Sequence, residues 1–208
     1  MNAPIRLILA DDHPSLRAGL VAILERQPDL KVVAECGSGR EVMKSPETAD
    51  VYIVDLRMPD GDGVQTIKAL LARDASAKVL VLTTYLSEED VFQALEAGAR
   101  GYLLKDTTKE ELVDAIRRIH QGERYLPQAI AARLADRMIR PRLTPRELDV
   151  LRLVCRGRSN KEIASAMFVS EETVKTHMRS LFTKLNVHDR AEAVSVSIQR
   201  GLIRPDPP

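Results

Sequence analysis

Tryptophan is absent from this 208-residue chain, and aromatic residues make up only 3% of it. That scarcity argues against a platform on which unpaired bases could stack. Cysteine is almost as rare: Cys36 and Cys155 stand far apart and form no CxxC pair. A disulfide framework or a cysteine-rich zinc site is therefore not expected, and two reduced thiols of a cytosolic protein are. No apolar run approaches the roughly 18–20 residues that span a bilayer. The opening Met1-Asn2-Ala3-Pro4-Ile5-Arg6 lacks the charged-then-apolar plan of a secretory leader. The expectation is a cytoplasmic location with no membrane segment. A net charge is nearly missing too, since 31 Lys+Arg against 30 Asp+Glu leave +1.

That near-neutrality hides a division. Residues 1–122 carry 15 basic and 20 acidic side chains, a net of −5, whereas residues 123–208 carry 16 and 10, a net of +6. An acidic front and a basic back suggest separate partners, a cation for one and a polyanion for the other. The length allows one large domain or two ordinary ones, and a 44% apolar share supplies real cores.

The stretch from Val51 to Gly63 organises the front half. Val51-Tyr52-Ile53-Val54 is long enough for a buried strand and too short for a core helix. It stops at Asp55, and Pro59, Gly61 and Gly63 are expected to forbid continuation as strand or helix. Asp55 is then placed at the carboxyl end of an internal strand, where open α/β sheets bind ligands. One such aspartate is equally a plain turn cap. Three other strand ends change the balance. Ile5–Ala10 runs into Asp11-Asp12, with Pro14 suited to the first turn of the next helix. Lys78–Leu82 leads to Thr83, and Gly101–Leu104 ends at Lys105. A further strand over Lys31–Cys36 precedes Gly37-Ser38-Gly39, which lacks the third glycine of a dinucleotide fingerprint. Helical spacing follows each strand, with a weak helix cut at Pro46, acids after Ser87, and a capping pattern at Thr108-x-x-Glu111. Five strands alternating with five helices predict a doubly wound, five-stranded parallel sheet covered on both faces, of the flavodoxin-like kind.

Parallel strands bring Asp11, Asp12, Asp55, Thr83 and Lys105 to one edge. Clustered carboxylates are costly without a cation, and hard oxygen ligands suit Mg²⁺. An ammonium and a hydroxyl beside them could take the oxygens of a phosphoryl group transferred to a carboxylate.

On Asp11-Asp12, Asp55-x-x-Met58-Pro59, Thr83 and Lys105, the front of the chain resembles the receiver domain of two-component response regulators, over roughly residues 4–122. The resemblance implies that Asp55 is the phosphoacceptor. It implies Asp12, Asp55 and the Arg57 backbone carbonyl as Mg²⁺ ligands, with Asp11 acting through water. Thr83 would be the switch hydroxyl, Lys105 the phosphoryl clamp, and Tyr102 a switch aromatic. Two departures stand out: Asp106 follows Lys105 where many receivers have proline, and the Gly39–Asp50 segment is short, so its helix is expected to be stunted.

From Gly122 to Arg142, Ile130, Leu134 and Met138 mark a short helix in a tether. The division expected is a front domain over 1–122, a linker over 123–142, and a small all-α domain over 143–208. In the latter, Thr144-Pro145-x-Glu147 opens a helix that Gly157 ends. A short helix begins at Asn160, and the turn Phe168–Ser170 leads to a longer one up to about Leu185. A last helix runs from about Asp189 to Gln199. The pair around the turn has helix-turn-helix dimensions. Val174, Met178, Leu181, Phe182 and Leu185 are expected inside, leaving Lys175, Thr176, Arg179 and Thr183 outside. A solvated face accounts for that equally well if one helix is taken alone.

The fuller pattern, Leu143-Thr144-x-x-Glu147, Gly157-x-Ser159-Asn160-Lys161-Glu162-Ile163-Ala164, Val169-Ser170-x-x-Thr173-Val174-Lys175-Thr176-His177 and Lys184-Leu185, resembles the LuxR-type DNA-binding domain. That implies base contacts from Lys175, Thr176 and Arg179, and phosphate contacts from Asn160, Lys161, Ser170, Thr173 and Lys184. Glu147 reads as a structural tie. The whole chain thus resembles a NarL/FixJ-like response regulator. The implied partners are a sensor histidine kinase, double-stranded promoter DNA and a second copy of the chain in an active homodimer. Two rival readings are a receiver-controlled RNA-binding antitermination regulator and an aspartyl-phosphate phosphatase. The second needs a DxD start, and Arg57 occupies its second acidic position.

Overall fold

In β1 (Ile5–Ala10) Leu7 and Leu9 face one way and Ile8 and Ala10 the other, and all four are buried. A strand apolar on both faces needs cover on both, and the following helices supply it. The computed structural model describes residues 3–58, 61–84 and 86–203. Pro59, Asp60 and the proline-rich end lie outside the described residues.

In chain order, α1 (Pro14–Leu24), β2 (Leu30–Cys36), α2 (Gly39–Lys44) and β3 (Val51–Val54) follow β1. Next come two short strands, β4 (Arg57–Met58) and β5 (Gly61–Asp62), then α3 (Gly63–Arg73) and β6 (Val79–Thr83). The front half ends with α4 (Glu88–Glu96), β7 (Gly101–Leu104) and α5 (Lys109–His120). The main sheet is parallel in the order β2-β1-β3-β6-β7. Its centre is β3, so Asp55 emerges between the ends of β1 and β6. One face packs Ile8, Val54, Val81 and Tyr102 against Val42, Ile67, Leu70, Val91 and Ala94 of α2, α3 and α4. The other packs Leu9, Ile53, Leu82 and Leu103 against Leu20, Leu24, Leu112, Ile116 and Ile119 of α1 and α5.

Local chemistry sets the helix ends. Ser38 accepts a bond from the Glu41 N–H to start α2, which stops after six residues, the stunted helix expected before Pro46. Thr108 does the same for α5 through Glu111 N–H, with acids in the first turn and Arg117, Arg118 and His120 in the last. After Asp55 the expectation of no further strand needs correction: β4 and β5 pair antiparallel, Arg57 opposite Asp62. Two residues a side fall below any periodic signal. Gly63 then starts α3 against the Asp55 backbone, where an added Cβ would lie 2.4 Å from the Asp55 carbonyl oxygen.

The chain divides into two compact units, residues 1–86 with 90–134, and 135–208 with 87–89. After α5, Tyr125 bonds to the backbone of Arg100 and Tyr102 and so lines the β7 edge. Helix α6 (Gln128–Ile139) buries Ile130 and half-buries Leu134 in the first unit's core. The segment read as linker therefore begins as part of the first unit.

The second unit holds α7 (Pro145–Cys155), α8 (Asn160–Met167), α9 (Glu171–Leu185) and α10 (Arg190–Gln199). Capping boxes at Thr144/Glu147 and Ser159/Glu162 begin α7 and α8, and Ser170 caps α9. Val150, Val154, Ile163, Val174 and Met178 form one core cluster, and Leu151, Leu181, Leu185, Val187 and Ala193 another. As expected, Val174, Met178, Leu181 and Leu185 face inward on α9.

Candidate functional site

Two backbone bonds beyond the strands hold the edge of the sheet in register: Asp55 N–H donates to the Ala10 carbonyl and Lys105 N–H to that of Thr83. The structure brings Asp11, Asp55 and Lys105 into direct contact there. The Lys105 ammonium lies 2.6 Å from Asp55 Oδ2 and 2.7 Å from Asp11 Oδ2, with all three side chains almost wholly buried. Burial on its own pulls the lysine pKa down. The hydrogen bonds and charges of Asp11 and Asp55 outweigh it and hold the pKa above its usual value. The other oxygens of these carboxylates take backbone N–H groups, Asp55 Oδ1 from Arg57 and Asp11 Oδ1 from His13.

Asp11, Asp12, His13 and Asp55 each offer a ligand atom, all within 4.8 Å of one another. Three carboxylates against one ammonium leave an excess of negative charge that a cation would relieve. Asp12 Oδ1 is buried with no hydrogen-bond partner, and so is Thr83 Oγ1. Buried polar atoms are nearly always satisfied, so these two orphans mark where a ligand belongs. The acidic pocket thus suits a divalent cation, on the strength of its all-oxygen core and an unspent carboxylate oxygen.

Tyr102 is fully buried on β7. Burial first, then the Asp90 charge, push its phenol well above the usual tyrosine range. The peptide bond between Lys105 and Asp106 is trans, like every other peptide bond among the described residues. Two side-chain contacts beside the site were not anticipated from the sequence. The Arg57 guanidinium pairs with Asp90 Oδ2 at 3.1 Å, tying the segment after Asp55 to α4. The His13 imidazole stands beside Asp11 and Asp12. A partner 33 residues away leaves no local signal; a histidine directly after two aspartates does, and could have been found.

In the second unit α9 presents Lys175, Thr176 and Arg179 to solvent, as expected. Lys161 is exposed and Asn160 half-buried in the first turn of α8, while Ser170 and Thr173 open α9 and bond to each other at 2.8 Å. The positive ends of α8 and α9 and a basic helix face therefore belong to one helix-turn-helix. Lys184 stands apart from that set. Its ammonium lies 2.8 Å from Glu147 Oε2, and Ser180 donates to the other Glu147 oxygen at 2.7 Å. Burial works against the Glu147 charge, but these bonds and the Thr144 N–H bring its pKa down to about 2. Glu147 is the tie expected of it, and Lys184 is half of that tie.

Among the described residues no helix is long and apolar enough to cross a membrane. Comparison with known proteins then adds a second, independent line. A family model described as a response regulator receiver domain matches residues 7–117, and one for bacterial regulatory proteins of the luxR family matches residues 141–197. A nitrate/nitrite response regulator protein homolog of Haemophilus influenzae is 42% identical over 207 residues, which is 97% of this chain and all of that protein. The crystal structure of ChrA, a response regulator of a heme-sensing two-component system, is 40% identical and superposes with a TM-score of 0.58 over 97% of this chain and 100% of that one. RcsB from Salmonella enterica serovar Typhimurium, bound to a promoter in the presence of phosphomimetic BeF₃⁻, is 27% identical with a TM-score of 0.73. That match covers 95% of this chain and 98% of RcsB.

Proposed function

This chain belongs to the two-component response regulators, with a receiver domain followed by a LuxR-type helix-turn-helix domain, and from that premise we propose that Asp55 accepts a phosphoryl group and thereby controls binding to promoter DNA. The single observation that carries the first step is the Lys105 ammonium between the Asp55 and Asp11 carboxylates at the sheet edge. Asp55 and Asp11 each have lysine on one oxygen and a backbone N–H on the other, and of the two it is Asp55 that follows β3, the central strand.

A sensor histidine kinase supplies the phosphoryl group. One Asp55 carboxylate oxygen forms the new bond to phosphorus as the donor's bond to phosphorus breaks, its electron pair leaving with the donor. Lys105 turns from the carboxylate to a phosphoryl oxygen, keeping that oxygen's charge paired. The orphaned Thr83 hydroxyl has no bond to give up and takes another phosphoryl oxygen. Asp12, Asp55 and the Arg57 carbonyl would hold Mg²⁺, with Asp11 acting through water. The ion, when bound, neutralises charge on the transferring oxygens. Tyr102, buried beside the site, is the aromatic that follows Thr83. The receiver acts on its own aspartate and releases no product but phosphate.

The second step is carried by α9. Lys175, Thr176 and Arg179 meet base edges in a major groove, while Asn160, Lys161, Ser170 and Thr173 meet phosphates. Lys184 reaches the backbone only by leaving Glu147, so its first role is to position α9. The phosphorylated form binds as a homodimer, in the cytoplasm where promoter DNA lies. Incubation with acetyl phosphate and Mg²⁺ should add one acid-labile phosphoryl group per chain, seen as an intact-mass increase. Asp55→Asn should abolish it; equal labelling of that variant overturns the assignment.

A further inference from the structure

His13 has no structural duty that accounts for it. It is the N-cap residue of α1, yet its side chain makes no capping hydrogen bond. Its ring is 65% exposed, so it contributes little to the core. What it does have is position. Nδ1 lies 2.8 Å from Asp12 Oδ1 and 3.4 Å from Asp11 Oδ1. Asp12 Oδ1 nevertheless has no hydrogen-bond partner, so the ring nitrogen approaches it without being in line to donate. Neighbouring ligands around a six-coordinate ion with bonds of about 2.1 Å stand about 3 Å apart. Nδ1 and Asp12 Oδ1 are thus already spaced as adjacent ligands of one ion, and the backbone holds the segment in place because His13 N–H bonds to Asp11 Oδ1 at 2.9 Å.

We propose that His13 is a conditional metal ligand that sets the ion preference of the acidic pocket. This rests on the reading of that pocket as a divalent-cation site. With Mg²⁺, which prefers oxygen and keeps its waters, the imidazole stays outside the coordination shell. With Mn²⁺, Co²⁺ or Zn²⁺, whose affinity for imidazole is higher, Nδ1 replaces a water and joins Asp12. The pocket therefore favours a transition-metal ion over Mg²⁺ more strongly than its carboxylates alone would, and metal identity becomes a second input to phosphoryl transfer.

The test uses the full chain, titrated calorimetrically with MgCl₂, MnCl₂ and CoCl₂, together with pulsed electron paramagnetic resonance of bound Mn²⁺. Wild type should show ¹⁴N coupling to Mn²⁺. His13→Gln should erase that coupling and weaken Co²⁺ by about tenfold or more, the scale on which changes around a metal's ligands act. Its Mg²⁺ affinity should stay within about twofold. Wild type lacking the coupling, or His13→Gln retaining both coupling and Co²⁺ affinity, overturns the proposal. Asp12→Asn separates the two levels. If it weakens all three ions while His13→Gln changes none, the pocket holds a cation and the role of His13 is wrong. If wild type binds no Mg²⁺ at all, the cation reading of the pocket falls, and the proposal with it.

Discussion

Glu147 shows how much one residue can carry. It completes the capping box of α7 and receives Ser180 and Lys184 from α9, so a single carboxylate ties two helices of the output unit together. Its pKa is about 2 in place of 4.5. A depressed carboxylate pKa stabilises the fold fully above the unfolded value, and the contribution is lost as pH falls through the folded value. The window is therefore about pH 4.5 down to about pH 2, and the full difference corresponds to roughly 3 kcal/mol. Chemical denaturation across that window should show wild type losing stability steadily. Glu147→Gln should be less stable at pH 7 and lose less over the same range, the remaining loss coming from Glu162, Asp29 and Asp74, whose carboxyls are also held below their usual range. Parallel acid limbs for the two proteins would refute the tie. At the edge of the sheet Lys105 plays the corresponding part, a cation set between two buried acids.

At the scale of elements, what was legible is what is encoded locally. Apolar runs ended by Asp11, Asp55, Thr83 and Lys105 announced the strands and their shared edge, because parallel strands put all their carboxyl ends together. Thr108 and Thr144 announced helix starts through short-range side-chain bonds. Contacts between distant segments were not legible. The period of Ile130 and Leu134 predicts a helix but does not say that its first half belongs to the receiver core. The Arg57–Asp90 pair joins residues whose spacing carries no pattern. The LuxR-type resemblance implies Lys184 as a phosphate contact, and only packing reveals its ammonium on Glu147. These differences sharpen the prediction for α9. A basic side chain paired with a guanine edge discriminates by about 1–3 kcal/mol, whereas a phosphate contact weakens all sequences alike and lowers the salt slope by about one. Lys175→Ala or Arg179→Ala should therefore narrow the affinity gap between operator and random duplex. Lys161→Ala should weaken both together and leave the gap intact. Competition binding at several salt concentrations checks this, and the opposite pattern would reassign the helix faces.

The whole chain joins an acidic front stretch to a basic back one, −5 over residues 1–122 and +6 over residues 123–208. The excess charge of each stretch suits a different ligand, a cation for the first and a polyanion for the second. Neither half alone explains why both are on one chain; a phosphoryl group that governs the second from the first does. That coupling is the central claim, and genome-wide DNA enrichment with the full chain tests it most directly, run with and without acetyl phosphate and Mg²⁺ and repeated with Asp55→Asn. The account predicts discrete sites near promoters that strengthen with the phosphodonor and fail to strengthen in the variant. The same sites at the same strength in every condition, or recovery of RNA in place of duplex DNA, would contradict it.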